Sequence, residues 1–218
     1  MVDYLTGLHL FSVCLAAGLL APMIGLGGGF ILVPLLSLFF GLSMIEAVAT
    51  SLVCIIATSQ AFALAKRSSE NTEVKVGIFL EMFTVLGVLL GGVIATSIDE
   101  RTLKMIFAAS LIAIFVVMLK RMLKDKNTKE KDEEILKLRG KKRFVFGSIG
   151  SLLGGITSGM LGVGGGIVKV PVLRLVMRVD FRKAAATSNF MIGITAASGA
   201  LFYLIKGHVS LKAAIPCI

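Results

Sequence analysis

The 218-residue chain has few of the residues that build metal sites and disulfide frameworks. It contains three cysteines, two histidines and no tryptophan. Cys14, Cys54 and Cys217 lie among apolar residues, without Cys-x-x-Cys spacing and without convergent histidines in the spacing of a metal site. Neither a zinc site nor a disulfide framework is therefore indicated. No nucleophile, base or metal cluster converges either, so we expect no enzyme, no metal and no cofactor.

Charged residues are missing from long stretches of the chain. No Asp, Glu, Lys or Arg occurs between Tyr4 and Ile45, and three further runs are equally uncharged, namely Ala47–Ala65, Phe144–Val168 and Ala184–Ile205. A helix needs about 20 apolar residues to cross a hydrocarbon core of about 30 Å. The mean hydropathy of +0.92 also exceeds that of ordinary soluble domains. We predict an all-α, polytopic bundle of transmembrane helices, with the lipid bilayer as a partner.

The net charge of +10 is concentrated in one segment rather than spread as a nucleic-acid-binding surface. Eleven basic and five acidic residues lie between Lys120 and Arg143, with apolar runs on both sides. Such a segment is typical of a cytoplasmic loop under the positive-inside rule. We predict a cytoplasmic basic linker at 124–143 and no nucleic-acid partner.

Two stretches of the chain are nearly the same. They read Gly25-Leu-Gly-Gly-Gly-Phe-Ile-Leu-Val-Pro34 and Gly162-Val-Gly-Gly-Gly-Ile-Val-Lys-Val-Pro171. The same offset of 137 positions places Ala49-Thr50-Ser51 on Ala186-Thr187-Ser188. Many secondary transporters are built on internal repeats. We predict a first transmembrane repeat at 1–123 and a second at 144–218. The second copy stops about forty residues before the first does, so we expect it to be incomplete at its C-terminal end.

The distribution of charge leaves two arrangements of the repeats open. Five crossings in the first repeat would place Lys75 and the linker inside and the turn at Asp99 outside, so that the second repeat is inverted. The predicted segment Phe30–Ile45 is the weak element, because its sixteen residues span only about 24 Å. If it is half of a re-entrant hairpin, the two repeats run parallel. We favour the inverted arrangement.

The two glycine motifs predict breaks in the helices. Clustered glycines destabilise a helix interior, and irregular backbone at membrane depth survives only where protein buries it or where it lines a wet cavity. A helix that begins at Gly29 or Phe30 would direct unpaired N–H groups and a positive dipole end at an anion in such a cavity. The second motif would present another end facing the first. Glycines also allow helices to pack closely, and this alternative stays open.

The doubled motif, followed in both halves by Ala-Thr-Ser, resembles the sulfite exporter TauE/SafE family of membrane permeases. This resemblance covers nearly the whole chain apart from the linker. It implies a multi-pass carrier for small sulfur-containing or organic anions, such as sulfite or sulfonates, in a prokaryotic plasma membrane. The residues that match the family motif are Gly25, Gly27, Gly28, Gly29 and Pro34 in the first half, and Gly162, Gly164, Gly165, Gly166 and Pro171 in the second.

Polar residues inside the apolar runs are the other candidates for substrate contact. They are Thr50 and Ser51 in the first half, and Thr187, Ser188 and Asn189 in the second. Hydroxyl groups can donate to oxyanions, although they also bond to neighbouring helices. Lys169 is a further candidate, because a cation inside an apolar run is costly unless it is paired or solvated. The alternative is a lysine that extends its charged end to the membrane interface. Glu81 is a candidate for proton coupling, although we favour an interfacial position for it.

These patterns favour a secondary transporter for a small anionic substrate. The competing hypothesis is an accessory or structural membrane subunit whose glycines serve only helix packing. Under that hypothesis, substitutions of glycine by alanine are tolerated and an anion never changes thermal stability.

Overall fold

A computed structural model describes residues 28–64, 72–123 and 141–214. All secondary structure in these ranges is helical. Gly25, Gly27, the helix predicted before them and nearly all of the linker lie outside the described residues. The last three linker positions, 141–143, are the start of a helix.

The helices follow the uncharged runs of the sequence closely. In chain order they are α1 Gly29–Leu38, α2 Met44–Leu64, α3 Val74–Ser97, α4 Glu100–Leu123, α5 Lys141–Leu161, α6 Gly166–Pro171, which continues into a π-helical turn at Val172–Val176, α7 Phe181–Ile205 and α8 Leu211–Ala214. Four of them contain stretches long and apolar enough to cross a membrane, namely Met44–Ala61, Val74–Ser97, Phe144–Leu161 and Phe181–Ile205. The prediction of a polytopic helical membrane protein is confirmed.

The break between α1 and α2 has a local cause. Gly41 adopts a φ of 64°, a left-handed conformation that favours glycine. Ser43 and Glu46 then form a capping box, in which the Ser43 N–H donates to Glu46 Oε2 at 3.0 Å and the Glu46 N–H donates to Ser43 Oγ at 3.4 Å. The predicted segment Phe30–Ile45 was therefore too long at its C-terminal end, where α2 has already begun.

Helices α3 and α5 run parallel through a seam of small residues. Gly87 lies against the Leu152 carbonyl, and Gly91 lies against Ile156 further along both helices. A Cβ atom at either glycine would collide with backbone of the other helix. Small residues are what allow membrane helices to approach this closely.

Helices α2 and α7, which correspond to each other under the offset of 137 positions, run antiparallel. Ser59 near the end of α2 contacts Gly193, whereas Leu52 contacts Gly199. Thr50, nearer the start of α2, accepts a bond from the Ser210 N–H beyond the end of α7. Antiparallel counterparts are what the inverted arrangement requires.

The segment between α5 and α7 returns along α5. Gly154 packs on Val168 of α6, Gly150 on Val172, and Gly147 on Met177 beyond the π-helical turn. The chain therefore comes back to the end at which α5 began before it enters α7. Helices α3, α5 and α7 all point in the same direction as a result.

The two ends of the bundle differ in charge. At one end Lys183 of α7 pairs with Glu73, next to the start of α3, at 3.0 Å. Lys75, Arg178 and the start of α5 share this end. At the other end the Met44 N–H donates to Glu100 Oε1 at 3.2 Å, close to Asp99. The five-crossing scheme groups these residues in the same way.

Candidate functional site

A lysine and a glutamate meet inside the bundle. Lys169 on α6 donates from Nζ to Glu81 Oε2 on α3 at 3.1 Å, and Oε1 lies 3.5 Å away. The two side chains are 0% and 4% exposed. At 1.5 Å per residue, Glu81 lies about 10 Å from the start of α3 and about 24 Å from its end. The pair is therefore buried in the protein interior, about two helical turns from the start of α3.

The fold positions each partner of this pair. Because α6 runs back along α5, it brings Lys169 into the space beside α3, which packs on α5 in parallel. Side chains of a helix lean towards its N-terminus, so the Lys169 chain extends back along α6 to Gly165. The two residues are 88 positions apart in the chain.

Thr195 on α7 completes a cluster with these two residues. Its Oγ1 accepts from Lys169 Nζ and is also within bonding distance of Glu81 Oε1 and of the Met191 carbonyl. One hydroxyl has one proton, so Thr195 can donate to the carboxylate or to the carbonyl, but not to both. An ammonium group has three N–H donors. In the described part of the chain, both oxygens of Glu81 and the Thr195 hydroxyl accept from Lys169 Nζ, so each of its three donors has a partner.

An unpaired hydroxyl lies near the Lys169 side chain. Ser158 on α5 is fully buried, and its Oγ has no hydrogen-bond partner in the described part of the chain. A Cβ built on Gly165 would stand 3.4 Å from both Ser158 Cβ and Lys169 Cε, so these side chains flank the same glycine. Ser151, seven residues earlier on α5, is also buried and without a partner in these ranges. Buried polar groups are usually paired, so this face of α5 offers unused donors.

Both glycine motifs have the same local backbone. Gly28 before α1 has a φ of 77°, and Gly165 before α6 has a φ of 74°. Gly162 and Gly164 also have positive φ, at 67° and 75°. Only glycine adopts such angles without strain. The predicted start of a helix at Gly29 is confirmed.

The described part of the first motif touches the second motif. Gly29 packs directly on the backbone of Gly162 and Val163, and a Cβ at Gly29 would collide with the Gly162 carbonyl. Ser51 reinforces the contact, because its Oγ donates to the Gly162 carbonyl at 2.9 Å. At this contact Gly29 and Gly162 leave no room for a solute, and the binding of an anion by the glycine motifs stays a prediction. The glycines are required here for close approach of two backbones, and Gly166, which begins α6, is buried beside them.

The other predicted hydroxyl residues hold helices together. Thr50 accepts from the Ser210 N–H at 3.4 Å, and Thr187 accepts from the Glu73 N–H at 2.9 Å. The Asn189 backbone carbonyl accepts from Ser59 Oγ at 2.8 Å. Ser188 is buried next to it. Thr187 lies about two helical turns from Thr195, towards the basic end of the bundle.

A separate cavity of about 140 Å³ lies between α2 and α7. It is lined by Ser59, Gln60, Phe190, Gly193 and Ile194. Neither Lys169 nor Glu81 contributes to its lining, so the ion pair is not exposed to this cavity in the present conformation.

Sequence reasoning identified Lys169 and Glu81 singly but missed the cluster. Thr195 and Ser158 were not among the predicted contact residues. One signal could have identified Ser158: it follows Ser151 by seven positions in an uncharged run, a spacing that places both on one face of a helix.

Comparisons with known proteins agree with the membrane fold. The profile described as sulfite exporter TauE/SafE matches residues 10–218. A probable membrane transporter protein of Bacillus subtilis is 27% identical over 211 residues, which cover 90% of this chain and 77% of that protein. A probable membrane transporter protein of Methanocaldococcus jannaschii is 30% identical over 217 residues, which cover 91% of this chain and 76% of that protein. No solved structure gives a significant match.

Proposed function

The chain belongs to the sulfite exporter TauE/SafE family, a family of membrane transporters, and on that premise we propose that it carries small anions such as sulfite or sulfonates across a prokaryotic plasma membrane. It acts as a secondary transporter in this proposal, with Lys169 as the group that attracts the anion. The basic end of the bundle faces the cytoplasm, in accordance with the positive-inside rule.

The buried ammonium group of Lys169 is the observation that carries this proposal. A buried ion pair contributes little to stability, because the loss of hydration offsets the attraction between the charges. Apolar residues of similar size would hold α3 and α6 together as well. Ionisable groups at membrane depth therefore mark substrate or ion paths by default.

The neighbours of Lys169 favour an oxyanion as the substrate. Ser158 and Thr195 offer hydroxyl donors, and the ammonium group of Lys169 offers charged donors to an anion that replaces Glu81. Sulfite and sulfonate groups present several oxygen acceptors on one atom, which suits convergent donors of this kind. The antiparallel pair α2 and α7 supports alternating access, because inverted repeats exchange their conformations in such carriers.

Anion flux into proteoliposomes tests the proposal. We expect Lys169→Met to reduce uptake of ³⁵S-labelled sulfite by roughly 10- to 100-fold, the equivalent of one charge-assisted hydrogen bond. Lys183→Met is the matched control, since it breaks an exposed ion pair and should leave uptake within about twofold of wild type. The neutral pair Lys169→Met with Glu81→Met keeps the interior free of unpaired charge. Wild-type uptake by this folded double variant would refute the proposal.

The contact between the glycine motifs favours a second candidate function, an accessory or structural subunit. Gly29 and Gly162 pack as glycines in a helix interface do. Alanine at Gly29 would disturb this packing under either hypothesis, so tolerance of alanine does not discriminate between them. The effect of anions on thermal stability discriminates between the two hypotheses, because an anion that binds the folded state must raise the melting temperature. A panel of sulfite, sulfonates, sulfate and carboxylates that leaves the melting temperature unchanged would support the accessory role.

A further inference from the structure

We propose that the Glu81 carboxylate competes with the transported anion for Lys169, so that each anion enters the site together with one proton on Glu81. This inference rests on the transport function proposed above. It adds the coupling ion, the stoichiometry and the residue that carries the proton.

Lys169, the proposed binding group for the transported anion, is already paired with the Glu81 carboxylate. Both carboxylate oxygens of Glu81 lie within 3.5 Å of Lys169 Nζ. Thr195 lies against both groups, so it can donate to whichever acceptor is ionised. An oxyanion that reaches Lys169 must replace Glu81 on the ammonium group or share it with Glu81.

Charge balance then requires a proton. The pair is neutral when Glu81 is ionised and Lys169 is charged. The arrival of a monoanion would leave one net negative charge in a buried site, which is unfavourable in a medium of low dielectric constant. Two anions that share one site favour protonation of one of them. Protonation of Glu81 restores a neutral site, with Lys169 paired to the substrate.

Glu81 is the best candidate acceptor for this proton. Among the helices packed on it, α6 contributes Lys169 and α7 contributes the Thr195 hydroxyl. Helix α5 has no Asp, Glu, Lys, Arg or His between Phe144 and Leu161. Glu73 and Lys183 pair with each other at the basic end of the bundle. Lys75 on α3 is not buried, and Arg174 on the π-helical turn is exposed and lies over the Phe181 ring.

Two states of the carrier are therefore electrically neutral. The empty carrier has Glu81 ionised on Lys169, and the loaded carrier has Glu81 protonated with the anion on Lys169. Both can reorient across the membrane without moving net charge. Glu81 takes its proton from water on the entry side and returns it to water on the exit side. A monoanion and a proton thus move together, in the direction set by their combined gradients.

The experiment uses methanesulfonate, whose charge does not change near neutral pH, and proteoliposomes with a trapped fluorescent pH indicator. In wild-type vesicles, inward methanesulfonate uptake should acidify the lumen by one proton per anion. A potassium diffusion potential should change the initial rate by less than about twofold, as expected for a neutral carrier. In a thermal-shift assay, stabilisation by methanesulfonate should weaken as pH rises, because binding requires protonated Glu81.

Glu81→Gln separates coupling from transport. Glutamine keeps the size of the side chain and one acceptor oxygen but cannot ionise. The empty variant carries an unpaired Lys169, so its return across the membrane is hindered. We expect net uptake to fall by at least about tenfold while exchange of labelled for unlabelled methanesulfonate continues. Binding should lose its pH dependence. Glu73→Gln, which changes an exposed carboxylate, is the matched control and should behave as wild type.

The outcomes distinguish this inference from the function on which it rests. Wild-type flux that responds to voltage and moves no protons would overturn the coupling and leave the transporter intact. Net uptake by Glu81→Gln at the wild-type rate would do the same. Absence of methanesulfonate flux in wild-type vesicles would overturn both the proposed substrate class and the coupling.

Discussion

Loss of Lys169 alone should destabilise the folded protein far more than loss of Lys169 and Glu81 together. In the single variant Lys169→Met, the Glu81 carboxylate stays in a site where its side chain is 4% exposed. Its ammonium partner is gone, and Thr195 remains as a single neutral donor. In the double variant Lys169→Met with Glu81→Met, two apolar side chains of similar length replace the pair.

The burial of the pair determines the magnitudes. Removal of one partner of a buried ion pair costs about 3–5 kcal/mol, whereas replacement of both by apolar residues is neutral or stabilises by about 1–4 kcal/mol. A pair on the surface would contribute only about 0–1 kcal/mol. The exposed pair of Lys183 and Glu73 provides that comparison within the same chain.

Reversible unfolding in mixed micelles, followed by circular dichroism, measures these differences. We expect Lys169→Met to lower the free energy of unfolding by about 3–5 kcal/mol, and the double variant to return to within about 1 kcal/mol of wild type or above it. Lys183→Met should change it by less than about 1 kcal/mol. If Lys169→Met and Lys183→Met prove equally mild, the ion pair is solvated and the argument from burial is refuted.

Two further predictions concern the glycine contact and the unpaired serine. Gly29→Ala should lower the free energy of unfolding by about 1–3 kcal/mol, because its Cβ meets the Gly162 backbone. The control is Gly147→Ala, whose Cβ meets flexible side chains. Its free energy of unfolding should stay within about 1 kcal/mol of wild type in the same assay. Ser158→Ala should leave stability unchanged, since it removes no hydrogen bond found in the described residues. It should weaken anion binding by roughly 2- to 13-fold in a thermal-shift titration, because one hydrogen bond to the anion is lost. Equal anion affinity of Ser158→Ala and wild type would exclude Ser158 from the site.

The positions of the helices could be predicted because the signals that define them are local. The uncharged runs Ala47–Ala65 and Ala184–Ile205 placed α2 and α7 to within about three residues, and the glycines at 28 and 165 correctly indicated where α1 and α6 begin. The end of α1 was placed too late. The capping box of Ser43 and Glu46 was visible in the sequence and would have corrected it.

The functional cluster could not be predicted because it depends on how helices pack. Lys169 and Glu81 stand out singly as charges in apolar runs, but nothing local links positions 88 residues apart. Their meeting requires that α3 and α5 run parallel and that α6 returns along α5. The contact of Gly29 with Gly162 has the same origin. It depends on ångström-scale approach between elements, whereas the sequence showed only that both backbones are irregular.

The two motifs are alike in their backbone conformation but differ in charge. The backbone is matched at the two motifs, where Gly28 and Gly165 share a left-handed conformation. The charge is not matched, because Leu32 occupies the position that corresponds to Lys169, and both are buried. A matched scaffold is useful for opening to either side of a membrane. A second buried cation would leave the empty carrier charged, and a charged carrier reorients poorly. One lysine, balanced by one glutamate, is therefore what a carrier of single anions requires.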